Sequence, residues 1–248
     1  MHIGLPISLH FGPRIVPRSS APIYGVRWDK SENPTLIRTH DAVGMVANAG
    51  VDGQHVQNDF DNAQIYREMG EVTDELGNVF IRIPKFYIRK TDGDGFKTWQ
   101  ISGYLHPGFY LPWCFWDFEN ERELDYVDIG KYPASLSSDG QRLESKPGVK
   151  PLVNTTIVEF RQLARANGKG YQLLDIHAWD VIQCLFWVEF ATLNSQSIMM
   201  GLVNGTAAAT NGATYPRLES RGSIEAGISS MSASWIMWVS TARKPWLN

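Results

Sequence analysis

The sequence predicts an α+β fold, with strands in the first part of the chain and two helices in the later part. Three observations carry that expectation. Period-two alternation recurs up to Ser102, and one pair of alternating runs is joined by Asp92-Gly93-Asp94-Gly95. A capping-box pattern, Thr156-x-x-Glu159, opens a helical stretch. A long apolar run of helical period then follows Asp175.

Taken in order, residues 1–22 contain four prolines and two arginines, show no clear period, and read as an arm or lead-in strand. Residues 23–248 read as a single domain, since no repeat, coiled coil or long linker divides them. The first strand spans Ile23 to Asp29, with Tyr24, Val26 and Trp28 on one face. A polar turn with Pro34 and a Gly/Asn-rich loop through Gly53 follow. Leu76-Gly77-Asn78 is a turn signal. Val79 to Lys90 reads as one strand whose facing changes at Pro84: Ile81 and Ile83 share one parity, Phe86 and Ile88 the other. That switch predicts a bulge or an edge position at Pro84. Lys97, Trp99 and Ile101 alternate with Thr98, Gln100 and Ser102 on the returning strand.

His106 to Trp116 reads as a packed irregular loop rich in proline and aromatics, Asp128 to Tyr132 as a short strand, and Ser135 to Lys150 as a polar loop. In the first helix Phe160, Leu163, Ala164 and Asn167 share a face, and Gly168 is placed to stop it. The second runs from about Asp175 to Thr192. Ala178, Val181, Ile182, Leu185, Phe186 and Phe190 keep its period, but Trp179, Trp187 and Val188 leave little polar face. It should be buried on most sides.

Bulk properties exclude several classes of function. A chain of 248 residues with 43% hydrophobic and 20% charged residues is long and apolar enough to bury a full core. A net charge of −3 gives no bulk attraction to nucleic acid or to an anionic membrane. No signal peptide is expected, because Pro6, His10, Gly12 and Pro13 interrupt any apolar start. The apolar run from Ala178 to Leu193 carries Asp180, Gln183 and Glu189 and is too short to span a bilayer. Cys114 and Cys184 have no metal spacing and read as reduced, inert thiols. The nine Trp, nine Tyr and eleven Phe read chiefly as a broad core, with platforms for sugar or protein contact as the sharper alternative.

Candidate chemistry is thin. Asp92 and Asp94 suggest a calcium loop but lack its further oxygen ligands and closing Glu, so a plain turn is expected. His177 and Asp180, with Asp175 nearby, resemble half of a metal site or an acid–base pair; a helix-start Asp and a polar edge account for them more simply. The acidic run Asp117, Glu119, Glu121, Glu123, Asp125 and Asp128 is rich enough to supply two glycosidase carboxylates, yet reads more simply as a solvated loop. No nucleophile elbow, phosphate loop or dinucleotide fingerprint is present. No cofactor and no metal are expected.

Several segments, in order, resemble one family of phage tail and tail-fibre proteins. They are Tyr24-Gly25-Val26-Arg27, Ile83-Pro84-Lys85-Phe86-Tyr87, His106-Pro107-Gly108-Phe109, Ile129-Gly130-Lys131-Tyr132, Thr155 to Gly168, and the stretch Gly168 to Gln196. The resemblance covers about Ile23 to Gly205. It implies a C-type-lectin-like fold: two helices flanking mixed, mostly antiparallel sheets, with extensive irregular loops. That fold is similar to the variable proteins of diversity-generating retroelements and to formylglycine-generating enzymes. The latter are cysteine-using oxidases. Cys114 and Cys184 stand in unrelated contexts, so the resemblance implies binding and not oxidation. The end of the chain departs from the family pattern. Arg221-Gly222-Ser223-Ile224-Glu225 echoes its closing segment with an inserted Ser, and Trp235 to Val239 echoes its last strand.

The resemblance implies a virion protein of the phage or prophage tail, made in the host bacterial cytoplasm, that binds a host-surface glycan or protein during attachment. Other tail proteins and further copies of the chain, a trimer among them, are the implied partners. Nucleic acid and membrane insertion are not. The expected contact residues are Tyr215, Arg217, Trp235 and Trp238 in the late loops, although both tryptophans equally suit a core. A structural tail or capsid accessory protein is the alternative function, and a glycan hydrolase using the acidic run is the second.

Overall fold

The computed structural model describes residues 21–49 and 58–198, together with the backbone of the strand Met237–Val239. The architecture is mixed α+β, with antiparallel sheets and three α-helices among the described residues. In chain order the elements are β1 (Tyr24–Trp28), β2 (Ile37–His40), α1 (Gln64–Arg67), β3 (Gly70–Thr73), β4 (Val79–Pro84), β5 (Tyr87–Gly93) and β6 (Phe96–Ser102). Next come β7 (Trp116–Asp117), β8 (Arg122–Glu123), β9 (Tyr126–Gly130), β10 (Ser135–Leu136) and β11 (Leu143–Glu144). The last are α2 (Ile157–Arg165), β12 (Tyr171–Leu173), α3 (Ile176–Phe190) and β13 (Met237–Val239).

Two sheets dominate. One has the order β2-β1-β6-β5 and the other β12-β13-β9-β4-β3, with every pairing antiparallel. The main core lies where their inner faces meet α3. It gathers Val26, Ile81, Ile83, Ile88, Ile101, Val127 and Ile129 with Val181, Ile182, Leu185 and Val188 of the helix. α3 packs directly on β1 and β6. A smaller core sits under α2, where Phe160 and Ala164 meet Phe80, Leu143 and Leu173. β4 therefore serves both: Ile81 and Ile83 face the main core, and Phe80, on the opposite parity, faces the smaller one.

This arrangement corrects the expectation for Val79 to Lys90. The segment is two strands in different sheets, not one bulged strand. Pro84 still pairs with Tyr126, Lys85 N–H donates to the Asp125 carbonyl at 2.7 Å, and the chain then crosses to the four-stranded sheet. Phe86 and Ile88 change parity because the second sheet faces the shared core from the other side. Phe86 fills the crossing and meets the Phe115 ring edge-on at 5.6 Å.

The other local expectations hold with small shifts. The β5–β6 hairpin turns at Asp94-Gly95, where Gly95 has φ +72°, a conformation glycine adopts without cost. The Phe96 ring lies across Gly93, so closely that a Cβ there would stand 2.4 Å from it. Thr156 caps α2 by accepting from Glu159 N–H at 3.3 Å, and the Glu159 carboxylate in turn accepts from Thr156 N–H at 3.0 Å. Asp175 caps α3, accepting from the backbone N–H groups of His177 and Ala178. The short strand expected at Asp128 lies at Tyr126–Gly130, and the polar loop after Ser135 contains the small hairpin β10–β11. β3 and α1 carry no clear signal in the sequence. Met237–Val239, within the segment echoing a closing strand, is a strand between β12 and β9. Residues 1–20, in the expected arm, lie outside the described residues. Among the described residues no helix is long and apolar enough to cross a membrane.

Candidate functional site

An aromatic cluster stands on the surface at the N-terminal end of α3. Trp113 and Phe118 are 60% and 62% exposed, and Ile176, in the first turn of α3, is 68% exposed. The Trp113 ring stacks on the His177 imidazole with centroids 5.5 Å apart and planes 20° from parallel. The Phe118 ring meets Trp113 from another direction, at 5.5 Å and 51°. Isolated exposed apolar residues are ordinary on protein surfaces. Trp113 and Phe118 differ from that background in being large, exposed and in contact with one another.

Local structure explains why these rings face outward. Pro112 leads into a single 3-10 turn, Trp113–Phe115. Cys114 and Phe115 of that turn are buried in the main core, which leaves Trp113 directed to solvent. Leu124 N–H donates to the Phe115 carbonyl at 2.8 Å and closes the loop behind it. Phe118 stands in the turn of the β7–β8 hairpin, whose pairs are Trp116 with Glu123 and Asp117 with Arg122. Asp117 holds that turn together. It accepts from Asn120 Nδ2 at 2.7 Å and from the backbone N–H groups of Glu119 and Asn120. The Asn120 side-chain bond in particular keeps the Asp117 carboxyl below the usual range. His177 is fixed by its place next to the Asp175 cap.

The acidic run is largely engaged in the fold. Asp128 forms a bidentate pair with Arg82, both bonds at 2.8 Å, and Arg82 lies 3.6 Å over the Tyr126 ring. Glu123 pairs with Lys85 at 2.8 Å, Asp117 with Arg122 at 3.4 Å and Glu119 with Lys169 at 2.7 Å. His177, Asp175 and Asp180 do not converge on a common point: Asp175 caps the helix, Asp180 pairs with Lys90, and His177 stacks on Trp113. Asp92 pairs with Lys30 and Lys97 beside its turn. Among the described residues no group of three or more His, Cys, Asp or Glu side chains is placed to hold a metal ion. Cys114 and Cys184 are free and buried, and burial pushes the Cys184 thiol up to about 12 and the Cys114 thiol higher still.

Of the contact residues expected from the sequence, Tyr215, Arg217 and Trp235 lie outside the described residues. The backbone of Trp238 pairs with Gln172 and Ile129 within the five-stranded sheet. Sequence reasoning missed the cluster of Trp113, Phe118 and His177. One signal was available: Phe118 is an aromatic residue inside an otherwise polar turn, Asp117-Phe118-Glu119-Asn120. No protein-family model and no curated protein matches the chain.

Proposed function

We propose that this chain is a tail-tip or tail-fibre protein of a phage or prophage, of the C-type-lectin-like class, and that it binds a receptor on the host surface. The exposed cluster of Trp113, Phe118 and His177 carries the binding part of this reading. Three rings presented together on the surface suit recognition by shape and contact area. The tail assignment rests on the ordered segments from Tyr24 to Gln196. Two substantial helices packed on antiparallel sheets agree with the fold those segments imply. Several copies on one tail would turn weak individual contacts into firm attachment.

A purely structural accessory role draws support from a different feature. Ile37, Val43 and Val46 are exposed along the edge strand β2 and the turn after it, and would suit contact with a neighbouring tail subunit.

Adsorption competition tests the receptor reading. Purified protein is added to candidate host cells before challenge with the parent phage. Saturable cell binding that blocks adsorption is the expected outcome. Correctly folded and assembled protein that neither binds cells nor blocks adsorption would transfer the weight to the accessory role.

A further inference from the structure

We propose that Trp113, Phe118 and His177 form a carbohydrate platform whose ligand is a neutral glycan. This rests on the receptor-binding reading and names the class of ligand and the site that takes it. The rings are already in mutual contact, Trp113 with both of the others, and their supports are fixed by burial of Cys114 and Phe115 and by the bonds of Asp117 and Asp175. Binding there orders few side chains that are not ordered already, which keeps its entropy cost low. A pyranose offers an apolar C–H face on one side and hydroxyl groups around its edge. Aromatic faces match the first, and a polar rim matches the second.

The rim selects among ligands by its charges. From Trp116 to Glu123 the chain carries four carboxylates and one arginine. Three of those carboxylates are paired: Asp117 with Arg122, Glu119 with Lys169 and Glu123 with Lys85. On the other side, one turn along α3 from His177, Asp180 pairs with Lys90. The carboxylate excess in the hairpin works against polymers bearing phosphate or uronic acid. Arg122 and Lys169 in the same rim work against a basic peptide. The Glu119–Lys169 pair, exposed on both sides, offers a donor and an acceptor side by side, which is what the hydroxyl groups of an uncharged sugar require.

The test uses the full chain. Host-cell binding is measured for the unaltered protein, for Trp113→Ala and for Phe118→Ala, on cells left untreated, oxidised with periodate to destroy glycan diols, or treated with protease. Competitors are maltotriose, mannotriose, chitotriose, trigalacturonate and a short Lys/Arg peptide. The expected result is at least tenfold weaker binding for each variant at unchanged circular dichroism, loss after periodate but not protease, and competition by a neutral trisaccharide. Unaltered binding by both variants would sink the platform while leaving the receptor reading intact. Loss after protease alone, or competition by the peptide or by trigalacturonate alone, would overturn the neutral-glycan assignment. A Trp113 contribution to fluorescence, isolated by comparison with Trp113→Phe, that the neutral quencher acrylamide fails to quench would mean the surface is covered, and would also overturn the proposal. Absence of cell binding by the unaltered protein would overturn the receptor reading itself.

Discussion

The two ends of α3 are built on opposite principles. At its C-terminal end the helix is tied into the protein by buried and half-buried polar bonds. Arg38 donates to the Val188 carbonyl at 2.6 Å and to the Glu189 carbonyl, while its guanidinium lies 4.9 Å over the Phe60 ring. Tyr66 donates its hydroxyl proton to the Leu185 carbonyl at 2.9 Å, and Asn58 Nδ2 donates to the Glu189 carboxyl at 2.8 Å. Ala191 closes the helix in the left-handed conformation at φ +51°, and its carbonyl accepts from Leu36 N–H. At the N-terminal end there is one short-range cap, Asp175, and beyond it the exposed Ile176 and His177. One end answers the unsatisfied groups of a helix terminus with side chains drawn from distant segments. The other satisfies them locally and leaves Ile176 and His177 to the surface. A rigid anchor at one end thus lets the other present a fixed face.

The most damaging way to break this contrast is Arg38→Met. The change keeps much of the side chain's apolar bulk but removes two charged donors from the last carbonyls of α3, and the cation beside Glu189. Hydrogen bonds from charged groups to buried acceptors are worth enough that a loss of about 3 kcal/mol is expected. Urea denaturation at neutral pH measures it. A loss below about 1 kcal/mol would mean that the anchor is dispensable.

Glu189 sharpens the same comparison through pH. Burial, its largest influence, raises the carboxyl to about 7, against bonding from Asn58 and the charge of Arg38, which favour the ionised form. Among the groups facing it are Arg38 from β2, Asn58 before α1 and the Tyr66 hydroxyl of α1. Because the folded state holds this proton more tightly than the unfolded chain does, the stabilisation is complete below the ordinary carboxylate range. It is lost as pH rises through about 7. Stability should therefore fall between pH 5 and pH 8 by up to about 3 kcal/mol from this group. Glu189→Gln, which stays uncharged throughout, should flatten that slope and be the more stable protein at pH 8. Parallel denaturation curves for the two proteins across this range would remove Glu189 from the account.

The same contrast explains what could be read from the sequence. Local signals were legible. The Thr156–Glu159 capping box, the Asp175 cap and the Asp94-Gly95 turn each act within a few residues, so pattern alone places them. The burial of α3 was legible too, because it has almost no polar face. Long-range matters were not. Arg38 and Glu189 are 151 positions apart, and nothing in either neighbourhood announces the other. The change of parity at Pro84 was visible, but parity cannot distinguish a bulge from a crossing between sheets. β3 escaped notice because it is an edge strand of largely exposed residues, so no alternation marks it. Trp113 and Phe115 sit two residues apart in one aromatic segment, and composition could not say that the first faces water and the second the core. The sequence accordingly points to contacts in the late loops, at Tyr215, Arg217, Trp235 and Trp238, and not at the start of α3.

The smallest expected effect on stability belongs to the platform, and its smallness is the point. Trp113 and Phe118 are large apolar residues, and truncating such residues in a core costs about 3–5 kcal/mol. Here both are mostly exposed, so little area returns to water on truncation. The double variant Trp113→Ala/Phe118→Ala should unfold within about 0.5 kcal/mol of the unaltered protein. It removes exposed apolar area, so a slight gain in solubility is the natural companion. A surface whose aromatics contribute nothing to folding has another reason to carry them. A loss of 2 kcal/mol or more would show instead that these rings close the loops around α3, and the N-terminal end of the helix would then be anchored in its own way.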